Sequence, residues 1–274
     1  MRLIASDLDG TLLRNDGTIS SRTRDAIRAV ERAGFAFAFV TARPPRCILS
    51  LADSAGLTGK AVCSNGAILY DIGGRAALHR AGLAPEIARE LVETLRTAMP
   101  KVAFAAEYGD KVVYDSCFPV LRDEFSLRVA EIDAFLDEDL VKLLVHHPER
   151  DAELLTKLVA NTVGGLGEVI HSGGPKFIEI AASGVSKGAG LERLCNNLNI
   201  DRSDVVAFGD MPNDLPMLCF AGQGVAVANA HQKVLAIAHE ITASNEEDGV
   251  AQTIEALLGG PLAIRGWRPA ARKS

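Results

Sequence analysis

The chain has 274 residues, of which 48% are hydrophobic, 23% charged and 5% aromatic. That length suits two unequal domains, and the apolar fraction excludes a disordered chain. No apolar run approaches the ~18 residues of a bilayer span, and 29 basic against 35 acidic residues leave a net charge of −6, excluding a general electrostatic footprint for nucleic acid.

In chain order, residues 2–8 predict a short buried strand running into Asp-Leu-Asp-Gly-Thr. Ser20 or Ser21 is placed to cap a helix with Ala26, Ile27, Val30 and Ala33 on one side, and Gly34 is its stop. Residues 35–40 form an apolar run of the kind covered on both faces of a parallel sheet. Pro44 or Pro45 opens the next helix, and Val62-Cys63 is a short strand leading into Ser64-Asn65-Gly66. This alternation predicts an α/β fold, a doubly wound parallel sheet of Rossmann-like type.

From Pro85 the pattern changes. A helix is expected over 85–98, with Ile87, Leu91, Val92, Leu95 and Ala98 near one stripe. Strands follow at 101–106 and 111–115, joined through Tyr-Gly-Asp, and at 141–147, 168–171 and 177–182 around a helix at 151–163. Consecutive strands with few crossovers indicate an inserted α+β domain over 81–182, dividing a core of residues 1–80 and 183–274. The alternation then resumes: a helix from near Ser186, a strand at 204–208, a short helix at 213–220, a strand at 225–227 and two closing helices.

Four segments collect chemistry. In Asp7-Leu8-Asp9-Gly10-Thr11-Leu12, residues two apart on an extended backbone point the same way. Asp7 and Asp9 are therefore expected to hold two carboxylates close together at the carboxyl end of a buried strand, where open α/β sheets bind ligands. Like charges there call for a cation, and oxygen donors without nearby His or Cys favour Mg²⁺. A cap or Asx turn would need only one Asp. Thr41-Ala42-Arg43 offers a hydroxyl and free backbone N–H groups suited to phosphate, although Thr41 also fits an ordinary turn.

The third segment is Gly184-Val185-Ser186-Lys187-Gly188. A lysine in the first turn faces the positive helix end at a cost of about 0.3–1 kcal/mol, which a bound anion reverses, although Lys187 taken alone also fits a solvated lysine with no role. The fourth, Gly209-Asp210-Met211-Pro212-Asn213-Asp214, again gathers oxygen donors after an apolar strand. All four are expected on one sheet edge, an inventory suited to metal-assisted phosphoryl transfer.

These segments, in this order, resemble the haloacid dehalogenase superfamily of phosphotransferases. Cys63-Ser-Asn65-Gly66-Ala67, Gly224-Val-Ala-Val-Ala-Asn229-Ala230 and Glu247-Asp248-Gly249-Val250-Ala251 are similar to its Cof-type branch, whose large type IIB cap falls where 81–182 lies. The resemblance implies Asp7 as the nucleophile forming an aspartyl-phosphate, and Asp9 as the acid and base. It implies Mg²⁺ held by Asp7, the backbone carbonyl of Asp9 and Asp210, with Asp214 in support. Phosphate would meet the backbone of Leu8 and Ala42, the Thr41 hydroxyl, Lys187 and Asn213. Ala42 stands where glycine is commoner, a small departure because the implied contact is a backbone N–H.

The expected activity is phosphatase action on a small phosphorylated metabolite, a sugar phosphate or related cofactor phosphate. The alternatives are a phosphomutase of the phosphomannomutase type and a non-catalytic phosphometabolite-binding protein. A mutase calls for a cationic cluster on the cap, whereas Arg80, Arg89, Lys101, Lys111, Arg122, Arg128, Lys142, Arg150, Lys157 and Lys176 are scattered. Asp7 stands where a secretory leader needs its apolar stretch, so a soluble cytoplasmic protein without nucleic-acid or membrane partners is expected, its oligomeric state open. Cys47, Cys63, Cys117, Cys195 and Cys219 fit small hydrophobes in a reducing compartment. His146 and His147 face opposite ways and cannot share a metal. Asn65 is placed to support the phosphate site but equally fits a common Asn-Gly turn, and it is left out of the expected set. The basic tail at 265–274, with Trp267, reads as a solvated terminus.

Overall fold

The computed structural model describes residues 2–119, 126–129, 131–172 and 177–259. Strand β1 (Leu3–Ser6) is buried throughout, shorter than the apolar run that announces it. Helix α1 (Ser21–Arg32) is capped by Ser20, whose side chain accepts from the Thr23 N–H, and it buries Ala26, Ile27 and Val30. Gly34, at φ +78°, turns the chain into β2 (Ala36–Val40). Pro45 starts α2 (Pro45–Ala55), which ends at a left-handed Gly56. After β3 (Lys60–Cys63) come two strands that the sequence pattern does not announce, β4 (Ile68–Asp71) and β5 (Ala76–Arg80). They fold back antiparallel beside β3 as a ribbon at the sheet edge.

Helix α3 (Pro85–Ala98) matches the expected span. It is followed by β6 (Ala103–Glu107), β7 (Val112–Asp115), β8 (Ser126–Val129) and β9 (Lys142–His146). Then come α4 (Ala152–Val163), β10 (Glu168–Ile170) and β11 (Ile178–Ala181). These strands form a separate six-stranded sheet in the order β10-β11-β9-β6-β7-β8. Alternation divides its faces: Phe104, Ala106, Val113, Leu143, Val145 and Ile180 share a core with α3 and α4 residues, while Ala103, Ala105, Tyr114, Phe118 and Leu144 cluster apart from it. Strand β8, parallel to β7, was not expected.

The chain then returns through α5 (Lys187–Leu198), β12 (Val205–Gly209), α6 (Leu215–Phe220), β13 (Gln223–Val227), α7 (Gln232–Leu235), β14 (Glu240–Thr242) and α8 (Gly249–Gly259). Strand β14, three residues between the last two helices, is a further addition to the expected elements. The main sheet runs β14-β13-β12-β1-β2-β3-β4-β5, parallel from β14 to β3. The α/β doubly wound core is thus present, and its central strands β12, β1 and β2 end along one edge. The two sheets meet there through buried charges. Arg46 of α2 pairs with Glu107 of β6 at 2.6 and 2.8 Å and donates to the Gly109 carbonyl at 3.0 Å. Among the described residues no helix is long and apolar enough to cross a membrane. Arg122, Lys176 and the tail with Trp267 lie outside the described residues.

Helix α5 packs closely on β3 and on the turn that follows it. A Cβ on Gly190 would stand 2.4 Å from Val62 Cγ1 and 2.7 Å from Gly66 Cα. Gly190→Ala is expected to lose about 1–3 kcal/mol of stability, read as a lower urea midpoint at unchanged slope.

Candidate active site

The Asp7 N–H donates to the Phe208 carbonyl at 3.0 Å, so the pairing of β1 with β12 runs one residue past the strand and leaves Asp7 on the sheet edge. Leu8–Leu12 is a single wide turn closed by Leu13 N–H to the Leu8 carbonyl at 2.8 Å, with Gly10 at φ +81°. A Cβ on Gly10 would fall 2.5 Å from Asp210 Oδ2, so only glycine lets this turn approach that carboxylate.

This turn corrects the strand-alternation argument for Asp7 and Asp9. The backbone leaves the extended state after Asp7, and the two side chains part. Asp7 is buried, whereas the Asp9 side chain is 57% exposed and paired with Arg43 at 2.5 and 2.9 Å. Asp7 instead meets Asp210 and Asp214, one oxygen of each lying within 4.8 Å of the others.

Asp210 follows β12, and Thr11 donates to its Oδ1 at 2.8 Å, tying the two loops together. Asp214 is buried, and its Oδ2 accepts the N–H groups of Asp210 and Met211 at 2.9 Å each. Ser186 caps α5 by accepting from Ala189 N–H, which puts Lys187 at the first helical position. Its buried ammonium donates to Asp7 Oδ1 and Asp214 Oδ1, each at 2.6 Å.

Three carboxylates against one ammonium leave this buried centre with excess negative charge. Burial holds the Asp7 carboxyl well above the usual range; Lys187 pulls it down, but Asp214 and Asp210 push it further up. Burial, and then Asp214, bring Asp210 up to about 6, against the Thr11 hydrogen bond. For Lys187, burial disfavours the charge, but Asp214 and Asp7 outweigh it and hold the ammonium more tightly than in a free lysine. Clustered oxygen donors in mutual repulsion, with no soft ligand among them, fit a hard divalent cation.

The other expected residues adjoin this centre. Thr41 is buried after β2; its hydroxyl oxygen accepts the Arg43 N–H at 3.1 Å. The Ala42 carbonyl accepts from Lys142 Nζ at 3.0 Å. Leu8 buries its side chain in the core and lends the site only backbone. Asn213 Nδ2 donates to Asn65 Oδ1 at 3.0 Å. Beside Asn65, Lys187 and Asn213 opens a cavity of about 710 Å³, reaching Thr156 and Ile170 on the smaller sheet's side. His147 Nε2 lies 3.1 Å from the Pro100 carbonyl, and His146 stands edge-on to Phe118.

Arg43, Lys142 and Glu179 join the surroundings of the site without having been expected there, and Asn65, weighed as a support for the phosphate and left out, joins them. For Asn65 the signal was its place after the third strand, at the same edge as the other segments. Lys142 and Glu179 sit within ordinary strands, and no local motif marks them.

Residues 4–254 match the family model described as haloacid dehalogenase-like hydrolase. The chain is 33% identical over 263 residues to the 5-amino-6-(5-phospho-D-ribitylamino)uracil phosphatase YitU of Bacillus subtilis, covering 92% of this chain and 96% of that protein. It is 28% identical over 269 residues to the HMP-PP phosphatase of Yersinia enterocolitica, covering 95% and 96%. A crystal structure of a haloacid dehalogenase-like hydrolase from Bacteroides thetaiotaomicron matches with a TM-score of 0.77 at 27% identity, over 93% of this chain and 99% of that one. The shared fold, the acidic centre on the sheet edge and a family match over nearly the whole length agree: the chain belongs to the haloacid dehalogenase-like hydrolases.

Proposed function

We propose that this hydrolase is a Mg²⁺-dependent phosphatase of small phosphorylated metabolites, sugar phosphates or related cofactor phosphates, acting through an aspartyl-phosphate on Asp7. The observation that carries this reading is the buried Asp7, Asp210 and Asp214 cluster bridged by Lys187. The phosphatase names of the relatives support it. Asp7, Asp210 and the backbone carbonyl of Asp9 would hold Mg²⁺, with Asp214 in support; when bound, the ion offsets charge on the phosphoryl oxygens.

The Asp7 carboxylate attacks phosphorus as the bond to the leaving oxygen breaks, and Asp9 gives that oxygen its proton. Water then attacks phosphorus, Asp9 takes the water's proton, and the bond to Asp7 breaks to release inorganic phosphate. Lys187 orients Asp7 and offsets the equatorial oxygen charge. The Thr41 hydroxyl, the Asn213 amide and the N–H groups of Leu8 and Ala42 donate to the phosphate. Asp9, at the exposed mouth, is reached by the leaving group once Arg43 yields it. Residues 81–182 serve as the cap. Arg89, Arg96, Lys101, Lys111 and Lys157 are each paired with a carboxylate of that segment and form no cationic cluster of the kind a mutase calls for.

A panel of phosphorylated metabolites should yield inorganic phosphate with Mg²⁺ and none with chelator. Asp7→Asn should fall to background, and Asp9→Ala should lose about 10²–10⁴-fold. Retained turnover in Asp7→Asn refutes the mechanism.

The raised carboxyls add a pH test. Because Asp210 keeps its proton up to about 6 in the fold, the metal-free protein loses that group's stabilisation as pH rises through this value. The same proton competes with the cation below it. The rise in melting temperature on adding Mg²⁺ to chelated protein should therefore be larger at pH 7.5 than at pH 5. A shift independent of pH would place the ion elsewhere.

A further inference from the structure

We propose that Glu179, on the smaller sheet, is a positioning residue for the phosphate site: an acceptor oxygen of its side chain sets the amide of Asn65, which sets the amide of Asn213. The proposal rests on the phosphatase reading, since it takes Asn213 to meet the phosphate.

Glu179 lies in β11, only 4% exposed. Its Oε1 pairs with Lys142 Nζ of β9 at 2.7 Å, and its Oε2 accepts from Asn65 Nδ2 at 2.6 Å. A carboxylate only accepts, so Asn65 must turn its NH₂ group toward Glu179. That nitrogen's second contact, at 3.0 Å, is Ser172 Oγ beyond β10. Both contacts lie in the inserted segment, which leaves Asn65 Oδ1 to face the core and accept from Asn213 Nδ2 at 3.0 Å. The polarity is transmitted without ambiguity: acceptor, amide, amide. Asn213 thereby holds its NH₂ group in place, with one hydrogen spent on Asn65 and one left to give. Its Oδ1, buried and without a partner, is kept turned away from Asn65. An Asn213 amide free to flip would offer oxygen to an anion, an unfavourable pairing.

The backbone makes Asn65 a stiff link. Ser64 and Asn65 take φ of +50° and +56°, conformations retained where surrounding contacts enforce them. Those contacts run to the phosphate loop: Ser64 N–H to the Arg43 carbonyl at 3.0 Å and Asn65 N–H to the Thr41 carbonyl at 2.9 Å. Lys142, the partner of Glu179, grips the Ala42 carbonyl of that same loop. The buried ion pair on the inserted segment reaches Asn213 through Asn65. The phosphate cradle of the core is completed from outside the core.

The test combines calorimetric binding of inorganic phosphate to the Mg²⁺-loaded protein with kinetics on two panel substrates that have unrelated leaving groups. Glu179→Ala should weaken phosphate binding about tenfold and lower kcat/KM for both substrates by the same factor. Glu179→Gln, which keeps an acceptor for Asn65 but turns its NH₂ group toward Lys142, guards against a misfolded alanine variant and should recover part of that loss. Glu179→Ala combined with Asn213→Ala should be no worse than Asn213→Ala alone, because the effect passes through Asn213. Additive losses, unequal factors for the two substrates, or unchanged phosphate binding would overturn the proposal. If the wild-type protein neither binds phosphate nor releases it, the phosphatase reading itself falls; binding in the wild type with an unaltered Glu179→Ala sinks the relay alone.

Discussion

The ammonium of Lys187, 2.6 Å from both Asp7 and Asp214, is the contact on which the rest of the site depends. Three carboxylates brought out of water cannot stand together uncompensated, and removing one member of a buried ionic set typically costs about 3–5 kcal/mol. Each neighbouring feature reduces that penalty. Asp214 spends its second oxygen on two backbone N–H groups, Thr11 donates to Asp210, and Gly10 clears the space that a side chain would take. The compensation is incomplete, as the raised Asp7 and Asp210 carboxyls show. The residual negative charge is what makes the centre receptive to a cation and poised to hold a phosphate ester next to it.

The parallel sheet delivers these groups because its central strands all end on the same side. Asp7 extends β1, Thr41 extends β2 and Asp210 extends β12, and the N-terminus of α5 contributes Lys187 beside them. Hydrogen bonds then cross between loops that lie far apart in the chain. Thr11 reaches Asp210, and Asn65 reaches Asn213. The second sheet adds its own charges at the same edge through Lys142, Glu179 and Glu107.

Much of this was legible in the sequence. The apolar runs marked β1, β2 and β12, Ser20 of the two candidate serines caps α1, α5 starts beside Ser186 as read, and the span of α3 was read residue for residue. Where reading failed, the cause was local geometry or distance. Asp9 was paired with Asp7 on the rule for extended chains, but the backbone turns at Leu8, directly after Asp7, and Asp9 pairs with Arg43 instead. Strands β5, β8 and β14 are mostly exposed or half-buried and carry no apolar run to mark them, whereas β4 is buried and was passed over. Glu179 lies 114 residues from Asn65, and its strand looks like any other buried strand until the fold closes. Residue type and spacing announce a motif; they carry no sign of a partner so remote.

The Arg46 and Glu107 contact has a consequence for how the two sheets can separate. Glu107 also accepts the Gly109 N–H at 2.7 Å while Arg46 donates to the Gly109 carbonyl, so the tip of the β6–β7 hairpin is locked to the guanidinium by several bonds at once. Loosening one of them leaves the others strained and the charges dry. Parting the two sheets here would uncover the Arg46 and Glu107 charges together, so the contact resists separation as a unit.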